Sequence, residues 1–395
     1  FHSPNKKLVF FAIGANEDEN LSLTSDIVNA YKDVQNSSLY LFSISKQSEL
    51  FLASLTEKHV IKIRRIKEST SLINRFLYDD GHEIFETTHA EEDGLKVISA
   101  IVVGMGSYGT SMAKALPWFC QMEGYRFKLN VFDKDQNALS KLKALCPEYL
   151  NPKCNRVYVP GEAQYSITVH DGIDYLSYEY AENLAQIKDA SFVFISLGSD
   201  EENINCAITT RMHFERLGIK PKIVSDVHDG DKIARIENAV EIDGRRFEVD
   251  YTGSFEKLYS VNVIINSELE EKALKIHMRY PASGKTLEEH EDAFWINEYN
   301  YNSSCSSAIH NKLRVELKIA GADKEEGEQT QEERDLISVI EHRRWNAYVR
   351  SCGYVYSGSK EKSSRNDLAK LHNCLVPFNE LSEEYKKIDT VIGLK

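Results

Sequence analysis

Three glycines, Gly104, Gly106 and Gly109, stand in the order Gly-x-Gly-x-x-Gly directly after the apolar run VISAIVV. That spacing suits a phosphate-binding turn. The first glycine permits the tight turn, the second lets a pyrophosphate approach the backbone, and the third allows the following helix to pack closely on the strand. Ser107 and Tyr108 would open that helix, where free N–H groups and the positive end of the helix dipole favour an anion. Asp133 ends the next apolar run, 24 residues beyond Gly109. An acid there can accept hydrogen bonds from ribose hydroxyls and repels a 2′-phosphate. The cofactor this set predicts is NAD or a related adenine nucleotide, held by Gly104, Gly106, Ser107, Tyr108, Gly109 and Asp133. Ser196 and Gly198, in ISLGSDEEN, fall where a second strand end would approach that cofactor; the alternative is that they are ordinary loop residues.

A second group lies near the C-terminus. Trp345, Tyr348, Tyr354, Tyr356 and Phe378 offer flat faces on which a purine could stack. Arg343, Arg344, Arg350, Lys370 and His372 offer donors for phosphate oxygens, arginine with two bonds at once. Pro377 would hold its segment extended beside them. The candidate residues for a nucleotide-derived signal are therefore Arg344, Trp345, Tyr348, Tyr354, Lys370, His372, Pro377 and Phe378. The competing reading has Trp345 and Phe378 plugging a small helical core, with the arginines solvated.

The order of residues in EHRRWNAYVRSCGYVYSG (Glu341–Gly358) and LHNCLVPFNELSEEYKKID (Leu371–Asp389) resembles the RyR domain, the module first named from the repeats of ryanodine receptors and also present in bacterial proteins. The matching elements are H-x-R-W, G-[WY]-x-[YF], H-x-x-L-V-P-[WFY]-x-x-L, and a basic residue followed by an Asp. The resemblance implies a binding unit rather than a catalytic one. Residues 97–230 resemble the TrkA-N (RCK) domain, which regulates potassium channels and transporters by binding NAD or adenine nucleotides. IHMRY (Ile276–Tyr280) and FWINEYNYNSSCSSAIHNKL (Phe294–Leu313) resemble the helical region that precedes the RyR domain in bacterial proteins, although Tyr301-Asn302-Ser303-Ser304 replaces the Arg-x-Ser-Asn run of that family. Together these resemblances imply a nucleotide-signal sensor of the kind found in anti-phage systems and often joined to membrane segments.

The elements that must position these groups follow from periodicity. Leu8–Ile13, Leu39–Ser43 and Val60–Ile63 read as strands, alternating with helical spacing over Leu21–Val34 and Leu72–Leu77. The loop GANEDEN after the first strand has one glycine where a dinucleotide loop wants three, so this half reads as a degenerate Rossmann unit. Its IKIRRIKESTSLINRFLYDDG stretch resembles the regulatory domains of some ion channels. Strands are predicted at Phe127–Phe132, Phe192–Ser196 and Lys222–Ser225, a helix at Glu201–Leu217, and short strands over 235–260 with a turn at Asp243-Gly244. Leu269–His277, Leu287–Trp295 and Ser306–Ala320 have helical spacing. Residues 321–334 read as a solvated linker before a final helix near Arg334.

The fold class predicted is α/β: two Rossmann-like parallel-sheet units followed by a helical RyR module. The divisions are 1–93, 94–262, 263–330 and 331–395. A net charge of −13 excludes a duplex nucleic-acid surface, which needs a basic footprint. No run approaches a membrane span, and the seven cysteines form no C-x-x-C, which fits reduced thiols. Because the chain opens on Phe1, membrane segments upstream are part of the expectation, which is a cytoplasmic or inner-membrane-attached protein. A homodimer or higher homo-oligomer is the expected assembly. Ser283-Gly284-Lys285-Thr286 imitates a P-loop but has Arg279 where glycine is required. Asp226, His228, Asp229 and Asp231 could ligate a metal or form a hydrated loop. No metal site and no catalytic set is nominated. An NAD-dependent enzyme is the alternative function, but it would need a general acid or base that the sequence does not identify.

Overall fold

The computed structural model describes residues 7–393 except 15, 44–46, 56–58, 93, 151–163, 239–240, 243–244, 247, 283 and 326. The Asp243-Gly244 turn, Cys154 and the first residue of the P-loop-like run lie outside the described residues. In chain order the main elements begin with β1 (Leu8–Ala12), α1 (Glu17–Tyr31), β2 (Ser37–Phe42), α2 (Gln47–Ser54), β3 (Lys62–Ile66), α3 (Glu68–Asp79) and β4 (His89–Ala90). There follow β5 (Lys96–Val103), α4 (Ser107–Phe119), β6 (Tyr125–Asp133), α5 (Ala138–Leu145), β7 (Tyr165–Asp171), α6 (Tyr178–Gln186), β8 (Ala190–Ile195), α7 (Asp200–Leu217), β9 (Lys222–Asp226) and α8 (Gly230–Asn238). The chain continues with β10 (Glu241–Ile242), β11 (Arg245–Arg246), β12 (Asp250–Thr252), α9 (Phe255–Leu258), α10 (Val261–Ile264), α11 (Glu268–His277), α12 (Leu287–Ile296) and α13 (Glu298–Glu316). It ends with α14 (Gln331–Ser351), β13 (Val355–Tyr356), β14 (Leu371–His372) and α15 (Glu383–Gly393).

The chain forms two compact units. One joins 1–72 with 269–308; the other joins 73–268 with 309–395. These units cut across the four divisions drawn from sequence. The physical reason is that amphipathic helices need an apolar partner. In the first unit α12 packs on β3 and α2. Arg64 and Arg65, on β3, pair with Glu270 and Glu298 at 3.3 and 3.2 Å. Residues 269–308 of the helical prelude therefore pack within the first unit. Its sheet is parallel, ordered β1-β2-β3, over a core of Leu21, Val28, Leu39, Leu41 and Ile63.

The second unit is built on a parallel sheet ordered β12-β9-β8-β5-β6-β7, with β4 added antiparallel to the start of β5. In order of appearance, its six parallel strands lie 6-5-4-1-2-3, the doubly wound dinucleotide-binding arrangement. The order reverses between β5 and β8, and that is where ligands bind in such sheets. β5 reads as a near-continuous apolar run because helices cover both its faces, and every residue from Val97 to Val103 is buried. The strand β7 was not visible in the sequence pattern, because it alternates weakly (YSITVHD), whereas β10, β11 and β12 fall in the expected region of short strands. Residues 235–238, expected to open the β region, instead end the helix Gly230–Asn238.

Helix α14 lies along α4 and is clamped by α15. The C-terminal module is thus seated on the helix that begins at the glycine loop. Among the described residues no helix is long and apolar enough to cross a membrane.

Candidate functional site

Each glycine of the loop meets a different steric demand. Gly104 has φ +95°, and a Cβ there would lie 2.0 Å from the Ser196 carbonyl oxygen. Gly109 sits so close beneath the loop that a Cβ would lie 1.9 Å from the Gly104 oxygen. Gly106 is the opposite case: among the described residues nothing comes within 4 Å of where its Cβ would be. The first and third glycines are therefore required by packing, and the second leaves open space at the N-cap of α4. Ser107 is exposed and Tyr108 half-buried on the first turn. Asp133 does two jobs. Its Oδ2 accepts the Met105 N–H at 2.5 Å and its Oδ1 accepts the Asp135 N–H at 2.7 Å. It fastens the loop while standing at the end of β6, where a ribose would come. The residues present fit an adenine nucleotide: an open cradle at Gly106, helix N–H groups beside it and an acid at the neighbouring strand end.

The corresponding loop of the first unit is closed. Glu17, Asp18 and Glu19 fill the first turn of α1. Asn16 accepts the Glu19 N–H at 3.0 Å, Ser43 donates to Glu17 at 2.5 Å, and the Gly14 N–H donates to the Asn20 side chain. Carboxylates of the chain itself occupy the place a phosphate would take, so the positive helix end is already neutralised.

Ser196 is buried and donates to Asp226 at 3.0 Å; Gly198 has φ +124° on the turn before α7. The Asp226–Asp231 cluster resolves into local capping. Asp200 accepts the N–H groups of His228 and Asp229 at 2.9 and 3.1 Å, and Asp229 accepts those of Asp231 and Lys232 at 3.0 and 3.1 Å. Among the described residues no group of three or more His, Cys, Asp or Glu side chains could hold a metal ion.

The C-terminal residues divide sharply. Arg344, expected to offer donors to a phosphate, is fully buried. Its Nη2 and Nε donate to Glu341 at 2.7 and 3.0 Å, and Arg314 reaches the same carboxylate at 3.1 Å. Burial draws Arg314 down to about 10, against the pull of Glu341. Arg343 is buried too and pairs with Glu123 at 3.0 Å. These arginines are neither solvated nor presented to solvent; they tie α13, α14 and the Rossmann unit together. Tyr348 is buried edge-on to Trp118 of α4, ring centroids 6.3 Å apart. Lys370 donates to the Cys352 carbonyl oxygen and lies over Tyr354, whose hydroxyl burial pushes up to about 12. His372 accepts the Cys374 N–H at Nδ1 (3.2 Å), and burial lowers it to about 4, so it is a neutral ring.

Several other residues of the motif are also explained by folding. Nδ1 of His342 lies 3.0 Å from Asp389 of α15, and its Nε2 lies 2.7 Å from the Val376 carbonyl oxygen. Gly353 has φ +86°, and a Cβ there would lie 2.5 Å from the Leu145 oxygen. Pro377 is extended (φ −56°, ψ 150°) and leads into the 3-10 turn Phe378–Glu380.

Arg350, Lys370 and Pro377 are half-buried, as is a group of aromatic rings. Trp345, Tyr356, Phe378 and Tyr385 pack on the buried Cys374, Val376 and Leu381. Trp345 stands edge-on to His372 at 4.8 Å, and the Lys386 ammonium lies 5.6 Å over the Phe378 ring. Tyr385 and Lys386 were not singled out from sequence; their place on α15, four and three residues before Asp389, was the available signal. Trp345 and Phe378 thus stand half-buried on that cluster, with His342 stacked on Trp345 at 5.9 Å, and Arg344, Tyr348, Tyr354 and His372 lie in the interior. No protein-family model matches the chain, and no curated protein matches it.

Proposed function

We propose that the chain is a nucleotide-responsive sensor. An adenine nucleotide, with NAD as first candidate, occupies the glycine loop, and a nucleotide-derived signal stacks on the aromatic face of Trp345 and Phe378. A response at either place passes to an attached effector, for which the resemblance to channel-regulating domains suggests a membrane pore in anti-phage defence. The observation that carries this reading is the dual role of α4. Its first turn forms the open cradle at Gly106, and its last turns support α14 through Trp118 and Tyr348. A ligand that shifts α4 by binding one state better than another would be felt by α14, since coupling requires only such differential affinity.

The test is a thermal-shift screen with NAD, ADP-ribose, cyclic nucleotides and cyclic oligonucleotides. Gly106→Val should remove the response to NAD and leave that to a C-terminal ligand; Trp345→Ala should do the reverse. If no nucleotide raises the melting temperature, the chain is better read as an interaction scaffold. Turnover of NAD(H) with a second substrate would replace the sensor by an enzyme.

A further inference from the structure

Cys146 is the C-terminal cap of α5, and Cys352 is the C-terminal cap of α14. The two helix ends meet. The Cys146 sulfur donates to the Ser351 carbonyl oxygen at 3.1 Å, across 205 residues of chain. On the neighbouring residues, a Cβ at Gly353 would lie 2.5 Å from the Leu145 oxygen, so glycine is needed for the two turns to pass each other. Glu148 completes the contact. One of its oxygens accepts the Tyr356 N–H at 3.1 Å, and the other pairs with Arg350 at 3.6 Å.

This contact brings the two thiols together. The planar peptide bond keeps the Cys352 Cα within roughly 3 Å of the Ser351 oxygen, so the Cys146 sulfur stands no more than about 6 Å from that Cα. Disulfides join residues whose Cα atoms are about 4.4–6.8 Å apart. At this separation, bond formation asks for rotation of side chains rather than movement of the backbone.

The two thiols differ in access: Cys146 is buried and Cys352 half-buried. Burial pushes the Cys146 thiol up, Lys114 and Lys370 draw it down, and negative charge at Cys352 raises it. Lys370 also donates to the Cys352 carbonyl oxygen, so an ammonium group stands beside the pair. Nearby cations favour the thiolate, which is the reactive form.

We infer that Cys146 and Cys352 are a redox pair, which a peroxide oxidises to a disulfide tying α5 to the end of α14. The half-buried thiol reacts first. The Cys352 thiolate attacks one oxygen of hydrogen peroxide and the O–O bond breaks. A sulfenic acid forms, and the departing hydroxide takes up the thiol's proton as water. The Cys146 sulfur then attacks the Cys352 sulfur, the S–O bond breaks, and the leaving hydroxide carries off the Cys146 proton as a second water. Two thiols lose two electrons, and one peroxide is reduced to two waters.

The bond would join both halves of the second unit. α5 follows β6, the strand that ends in Asp133, and Cys352 stands four residues before Tyr356 of the aromatic group. Oxidation would fix the C-terminal module on the Rossmann sheet at a contact separate from that of α4 with α14.

The test treats the intact, reduced chain with hydrogen peroxide, blocks the remaining thiols with iodoacetamide in denaturant, and maps the unreduced digest by mass spectrometry. The expected product is a Cys146–Cys352 crosslink that dithiothreitol reverses. The oxidised chain should melt on the order of 5 °C above the reduced one. Cys352→Ser should remove both the crosslink and the shift. Cys146→Ser keeps a donor for the Ser351 oxygen and should leave Cys352 as a sulfenic acid that dimedone traps. Recovery of both cysteines as alkylated thiols overturns the inference. So does a crosslink from either one to another cysteine, Cys154 included, or a crosslink that lowers the melting temperature. No nucleotide enters these measurements, so their failure leaves the proposed function as it stands.

Discussion

The backbone N–H of Met105 donates to Oδ2 of Asp133 at 2.5 Å. The acid at the end of β6 and the turn after β5 are therefore one device: the carboxylate that would receive a ribose also sets the shape of the phosphate turn. Asp133→Ala should weaken adenine-nucleotide binding by more than the loss of a ribose contact alone. A hydrogen bond to a charged group contributes about 1.5–3 kcal/mol, so a tenfold to hundredfold loss of affinity is expected, read by titration. Asp133→Asn retains an acceptor and should fall between Asp133→Ala and the unaltered chain.

The three glycines separate folding from binding. Gly104→Ala and Gly109→Ala place a methyl group 2.0 and 1.9 Å from backbone oxygens that cannot yield. Each should lower stability by at least about 2 kcal/mol, visible as a lower urea midpoint. Gly106→Ala meets no described atom within 4 Å and should leave stability within about 0.5 kcal/mol while reducing the thermal response to NAD. Equal stability losses at all three positions would contradict this division.

Glu341 holds two buried guanidiniums, Arg314 and Arg344, with all three side chains at or below 1% exposure. Removing the shared partner takes from both buried cations the carboxylate that pairs them. Glu341→Gln should cost about 3–5 kcal/mol, a fall in melting temperature on the order of 10 °C. Arg344→Met leaves the Arg314 pair in place and should cost less, without abolishing the response to a C-terminal ligand. Loss of that response at full stability would restore Arg344 to the ligand's contacts.

His372 and His277 are both held at about 4 by burial, below the ordinary value near 6.5. Above pH 6.5 the ring is neutral in folded and unfolded chains alike. As pH falls from 6.5 towards 4, the unfolded chain takes up a proton that the folded chain refuses. Stability present above 6.5 is therefore lost on acidification, by about 2 kcal/mol per histidine between pH 7.5 and pH 5. Melting curves of His372→Gln should show a shallower acid decline than the unaltered chain. An unchanged slope would mean that His372 is accessible and titrates normally.

Much of the Rossmann unit could be read from residue order, because local requirements wrote it. A buried parallel strand must be apolar throughout, a phosphate turn must contain glycine where a Cβ would strike backbone, and the acid must end the next strand. Val97–Val103, Gly104, Gly109 and Asp133 satisfy those conditions within 37 residues, so the sequence determined this part of the α/β fold and of its candidate site. The closure of the α1 loop is likewise local, since Glu17, Asp18 and Glu19 sit on its own first turn.

Long-range packing decided the rest. Chain order does not say that Arg344 meets Glu341 and Arg314 in a dry interior, because exposure of an arginine depends on which helix lies over it. It does not say that 269–308 packs within the first unit, since helical periodicity shows an apolar face but not its partner. Cys146 and Ser351 are separated by 205 residues and carry no shared motif. Only the packing of the turn after α5 on the end of α14 sets the sulfur against that carbonyl oxygen.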